Sequence, residues 1–156
     1  MKLLVGIDLA ESTEKVVKKA EEIANALSAK VWILHVAKPE PADFYIGGHE
    51  PDSVGFEMDP QSFRDSLAKR FHDEHRQIQE IADRLRKAGL DATALLVQGA
   101  AVDAMLEEAS KLDVDMIVVG SYGRGAMYQL LVGSVSEGLL HRAECPILVV
   151  PTHERT

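Results

Sequence analysis

Short apolar runs alternate along the chain with stretches whose apolar residues recur at helical spacing. Leu3–Ile7 (LLVGI) is the first run and ends at Asp8. Its unbroken apolar character predicts a strand covered on both faces, as in parallel sheets. Ser12 or Thr13 is placed to cap the next element, with Glu14 in the first turn. Val16, Val17, Ala20, Ile23, Ala24 and Leu27 then predict a helix over residues 13–28. Val31–Val36 (VWILHV) predicts the second strand, with Trp32 in the core. The longest periodic stretch is 61–88, where Phe63, Leu67, Phe71, Ile78, Ile81, Ala82 and Leu85 share one face and charged residues fill the other. That stripe is expected in the core, and Gly89 is expected to end the helix as a left-handed cap. Ala92–Val97 predicts a third strand, Gly99 a turn and Val102–Leu112 a short helix. Met116–Val119 (MIVV) predicts a fourth strand, Ser134–His141 a helix and Pro146–Val150 (PILVV) a fifth strand.

Strand and helix thus alternate throughout, which predicts an α/β fold: a parallel sheet with right-handed crossovers and helices on both faces. In such sheets ligands bind beyond the carboxyl ends of the strands, where the strand order reverses. Two segments break the alternation. Residues 38–60 carry Pro39, Pro41, Pro51 and Pro60 and keep to no period, so they predict a long loop, which in a compact domain is usually functional or mobile. Residues 152–156 are a polar tail expected to fray.

The length of 156 residues suits a single domain, and a chain of this size buries about 70% of its unfolded surface without staples. The formal net charge of −8 argues against a non-specific grip on nucleic acid, so any phosphate site must be built locally. Cys145 is the single cysteine, which excludes an intramolecular disulfide and fits a reducing, cytoplasmic setting. The start, MKLLVGIDLAES, is interrupted by Asp8 and does not read as a signal peptide. No apolar stretch is long enough to predict a membrane span.

The chemistry concentrates after the fourth strand. Val119 runs into Gly120, Ser121, Tyr122, Gly123, Arg124 and Gly125, and Gly133 and Ser134 then open a helix. Gly120 and Gly123 lack Cβ atoms, so the backbone can turn sharply and come close to a ligand. Successive N–H groups in such a turn form an anion-binding nest. Gly133 and Ser134 stand at a helix start, where free N–H groups and the dipole favour a phosphate. Ser134 adds a hydroxyl, and Arg124 can bring a positive charge to the outer phosphates. The spacing is neither a Walker loop nor a dinucleotide fingerprint.

At these residues the chain resembles the universal stress protein family, nearly from end to end. The carriers are Val5-Gly6-Ile7-Asp8, Leu34-His35-Val36, Gln98-Gly99, the run Asp115–Gly120, the spacing Gly120-x2-Gly123-x9-Gly133-Ser134, and Cys145–Val150. The resemblance implies a Rossmann-like, five-stranded parallel sheet of order 3-2-1-4-5. It implies ATP as ligand, with Asp8 near adenine and ribose, Val36 meeting the base through its backbone, and Gly120, Gly123, Gly133 and Ser134 on the phosphates. It also implies a homodimer joined through Pro146–Val150.

Other polar residues read more plainly. His72 and His75 sit three apart on the long helix, but no further ligand completes a zinc site. His35 is expected to be a packed core histidine, the alternative being a place at the border of the base pocket. Cys145 reads as an inert thiol. Three functions remain in competition. The first is an ATP-binding regulatory protein whose nucleotide state a partner protein reads. The second is a slow ATPase or nucleotidyl-transferring enzyme, in which Ser134 could help hold Mg2+ and Arg124 could stabilise charge. The third is a chaperone-like structural dimer.

Overall fold

A computed structural model describes residues 1–38, 60–121 and 133–152. Most of the long loop, the tail after Thr152, and residues 122–132, with Gly123 and Arg124 among them, lie outside the described residues. Among the described residues five strands and four helices alternate: β1 (Lys2–Ile7), α1 (Thr13–Leu27), β2 (Lys30–Ala37), α2 (Pro60–Lys87), β3 (Ala92–Gln98), α3 (Ala101–Leu112), β4 (Met116–Gly120), α4 (Ser134–Arg142) and β5 (Ile147–Val150). All four strand pairings are parallel, and the order is β3-β2-β1-β4-β5. The chain therefore builds outward from β1 to β3, then returns to β1's other side to add β4 and β5. The strand order reverses between β1 and β4.

The sheet separates two cores. On one face Leu3, Val5 and Ile7 of β1 pack with Val16, Val17 and Ala20 of α1 and with Ile78, Ala82 and Leu85 of α2. On the other face Leu4, Trp32, Leu34 and Ile117 pack with Met105 and Ala109 of α3 and Leu139 of α4. Strands buried from both sides explain why β1 and β2 read as unbroken apolar runs rather than alternating ones. Gly89 has a φ of 93° and Gly99 of 146°, conformations that side chains rarely adopt, so both turns fall where glycine permits them.

Two features differ from the expectation. Ile78, Ala82 and Leu85 of the long apolar stripe are buried, whereas Phe63, Leu67 and Phe71 are only half-buried. The reason is length: a helix of 28 residues rises about 42 Å, while the seven residues of β3 span about 23 Å. Since α2 runs antiparallel to the strands and ends beside the start of β3, its first half stands beyond the carboxyl edge of the sheet. The second difference concerns Ser12 and Thr13. Ser12 is the N-cap residue of α1 but makes no side-chain cap bond; both hydroxyls turn back to Asp8 instead.

The contact between α3 and α4 is tight at one point. A Cβ built on Gly138 would lie 2.7 Å from Cγ2 of Val102, a β-branched residue with little rotamer freedom in a helix. On an open helix surface Gly→Ala stabilises by about 1 kcal/mol. Here the sign reverses. Gly138→Ala is expected to cost about 1 kcal/mol through overpacking, lowering Tm by about 2–4 °C. Thermal unfolding of Gly138→Ala alone and together with Val102→Ala checks this, the second change restoring what the first removes.

Candidate functional site

The carboxyl edge of the sheet at the β1–β4 reversal gathers the expected residues. Asp8 comes directly after β1. Its Oδ1 accepts the Ala10 N–H at 3.0 Å and the hydroxyls of Ser12 and Thr13, each at 3.3 Å. These three donors fix the carboxylate, and Oδ2 is buried without a hydrogen-bond partner among the described residues. A buried acceptor left unmade costs about 1–3 kcal/mol, so Oδ2 is poised for a donor from a ligand. Leu9, next to it, has a φ of 57°, in the left-handed region that a branched side chain disfavours. That strain turns the chain abruptly off β1 and keeps Asp8 at the sheet edge.

Val36 lies one residue before the end of β2, paired with Val97 of β3, and is partly buried against the α3–α4 side. His35 precedes it. The residue is 9% exposed, and its Nδ1 lies 2.9 Å from the Ile7 carbonyl oxygen. A carbonyl can only accept, so Nδ1 carries the hydrogen and donates it. Nε2 faces Glu74 Oε2 at 3.6 Å. The ring is therefore packed, as expected, and it lines a cleft of about 260 Å³ with Asp8, Leu9, Arg70, Asp73, Glu74 and Gln77. The protruding half of α2 supplies the far wall. Arg70 Nη2 donates to the Lys38 carbonyl at 3.2 Å, holding the chain as it leaves β2.

Across the reversal, Gly120 is the last residue of β4, paired with Val150 of β5. Its carbonyl accepts the Ser136 hydroxyl at 2.8 Å. Gly133 is the N-cap of α4, with φ −70° and ψ 157° and no side-chain cap. Ser134, the first helical residue, is exposed. The first N–H groups of a helix have no partner within it. Among the described residues no side chain caps α4, and such N–H groups suit an anion. His141 and Arg142 in the last turn suit the negative end of the same helix. The structure thus brings Asp8, Val36, Gly120, Gly133 and Ser134 to one edge of the sheet.

Sequence reasoning did not single out Ser121, Ser136 or Glu74. Ser121 and Ser136 lie within and just after the glycine spacing, which was the available signal. Glu74 is one of many charged residues on α2, and nothing in its spacing marks it. Cys145 is half-buried, and burial, ahead of smaller effects, pushes its thiol up from the ordinary value, which disfavours the reactive thiolate. A larger cleft of about 500 Å³ lies at the opposite edge, around Met1, Asn25, Lys30 and Asp91. Its lysine is already paired with Asp91 at 3.4 Å, and it lies away from the strand reversal. Among the described residues no group of three or more His, Cys, Asp or Glu side chains could hold a metal ion, and no helix is long and apolar enough to cross a membrane.

The fold has counterparts among known proteins. Universal stress protein A homolog 2 of Coxiella burnetii is 31% identical over 150 residues, covering 96% of this chain and 93% of that protein. The solved structure of Methanocaldococcus jannaschii MJ0577 superposes with a TM-score of 0.76 at 23% identity, covering 99% of this chain and 97% of that one. A universal stress protein solved in complex with cAMP is 26% identical, with a TM-score of 0.63 and 98% of each chain covered. The family model of the universal stress proteins matches residues 1–151. The chain belongs to the universal stress protein family.

Proposed function

We propose that this protein binds ATP at the carboxyl edge between β1 and β4 and acts as a nucleotide-dependent regulator of a stress response, as a homodimer in the cytoplasm. The observation that carries the reading is Asp8 Oδ2, a buried carboxylate oxygen held in place and lacking a donor among the described residues. A ribose hydroxyl supplies such a donor. The base then lies near Val36, whose backbone reads its edge. The phosphates extend toward Gly120, Gly133 and the uncapped start of α4, with Gly123 closing the cradle and Arg124 adding charge to the outer phosphates. Ser134 has a hydroxyl suited to help hold Mg2+ beside them. The cAMP complex of a relative supports an adenine nucleotide as the ligand class.

The dimer reading rests on the sheet. β5 is an edge strand of four residues, hydrogen-bonded only to β4 among the described strands. An apolar edge of this kind invites pairing with a second chain. Pairing there places the dimer contact one strand from Gly120, close enough for a partner protein to sense the nucleotide.

Equilibrium titration of the purified protein with ATP, ADP and AMP tests the reading. Saturable binding that strengthens with each phosphate is expected. An affinity independent of phosphate number would leave the start of α4 without its assigned role.

A further inference from the structure

Ser121 comes directly after Gly120 and is 4% exposed. Its N–H donates to the Val150 carbonyl at 2.8 Å, and its carbonyl accepts the Gly133 N–H. Its Oγ accepts the Thr152 N–H at 3.1 Å and lies 3.3 Å from the Thr152 hydroxyl, to which its own hydrogen can be donated. The Thr152 carbonyl in turn accepts Lys15 Nζ at 3.1 Å. One buried serine thus joins the end of β4, the N-cap of α4 and the exit of β5. Nothing about helix capping or strand pairing requires the hydroxyl.

The geometry points to Ser121 as a positioning residue for the nucleotide: its carbonyl holds the N-cap of α4 while its hydroxyl holds Thr152, so occupancy of the phosphate site is transmitted to the end of β5. The inference rests on the ATP-binding reading above and adds to it the residue that carries the signal. A phosphate seated on the first N–H groups of α4 fixes Gly133. Gly133 is bonded to the Ser121 carbonyl, and the same residue's Oγ holds the Thr152 amide. Amides that must meet a phosphate need such support, because a loosely held donor loses its geometric advantage.

The test compares wild type, Ser121→Ala, Ser121→Thr, Thr152→Val and the double variant Ser121→Ala/Thr152→Val. ATP affinity and ATP-induced slowing of hydrogen exchange at the Thr152 amide are both measured. Ser121→Ala is expected to weaken ATP binding by about threefold to tenfold, the loss of one buried hydrogen-bonding group. Ser121→Thr, which keeps the hydroxyl, restores it. The double variant is expected to bind no more weakly than Ser121→Ala alone, since both changes break one link. ATP slows exchange at Thr152 in wild type and fails to do so in Ser121→Ala. A serine of structural value alone would lower thermal stability and leave that ATP-induced protection intact, which overturns the inference, as does unchanged ATP affinity. Should Ser121→Ala not fold, Thr152→Pro, which removes the N–H that Ser121 Oγ accepts, decides by ATP affinity: a threefold to tenfold loss supports the link and full affinity overturns it. Wild-type protein that binds no ATP removes the parent reading and this inference with it, whereas wild-type binding with an indifferent Ser121 removes this inference alone.

Discussion

Asp8→Ala is expected to weaken adenine-nucleotide binding by about a hundredfold, the largest effect of any single side chain at the site. A hydrogen bond to a charged group contributes about 1.5–3 kcal/mol, and about 1.4 kcal/mol is a factor of ten. Oδ2 is already buried and oriented by three donors on Oδ1, so little reorganisation reduces that gain. Asp8→Ala also releases the Ala10 N–H and the hydroxyls of Ser12 and Thr13, and is expected to lower stability. Asp8→Asn separates the two roles. Its amide oxygen can keep the turn in place, while an NH2 group replaces the acceptor that faces the ligand. Calorimetric titration with ATP, beside thermal unfolding without nucleotide, reads both. Asp8→Asn is expected to keep most of the stability and lose most of the affinity. Full affinity in Asp8→Asn would show that no ligand donor meets Oδ2.

The second large effect is expected at the free edge of β5. The Ile117 N–H donates to the Pro146 carbonyl and the Ser121 N–H to the Val150 carbonyl. In a parallel pair alternate residues face the neighbouring strand. Residues 146, 148 and 150 therefore bond toward β4, and Ile147 and Val149 present their backbone groups to the open side. Proline at an edge strand is tolerated where its missing N–H faces outward. Val149→Pro thus removes a donor from the proposed dimer seam without breaking the β4–β5 ladder. The variant is expected to sediment as a monomer at concentrations where the parent is a dimer, with its helical circular dichroism retained. A variant that remains fully dimeric would move the contact away from β5.

How much of this was legible in the sequence differs from element to element. The unbroken apolar runs of β1, β2 and β4 could be read because strands covered on both faces have little room for polar residues. Gly89 and Gly99 fell at turns because their φ values admit little else. The half-exposed stripe of Phe63, Leu67 and Phe71 was not legible. Periodicity tells which residues share a helix face, but not where the sheet beneath that face ends. Ser12 and Thr13 carried a capping signal, and their hydroxyls went to a stronger acceptor, the carboxylate of Asp8. At the candidate site, Gly120, Gly133 and Ser134 could be placed beside the strand reversal, because the glycine spacing falls between a buried apolar run and a helix start. The partners that hold them, Ser121 and Ser136, were hidden: a buried serine has no periodic signature, and its bonds join residues far apart in the chain.

The most direct test of nucleotide binding at this edge is a map of backbone amide shifts in the isotope-labelled protein as ATP is added. Saturable changes are expected at Asp8, Val36, Gly120, Gly133 and Ser134, with the N–H groups of the first turn of α4 moving most. No saturable change at these residues, or changes centred instead on Met1, Lys30 and Asp91 around the larger cleft at the opposite edge, would contradict it.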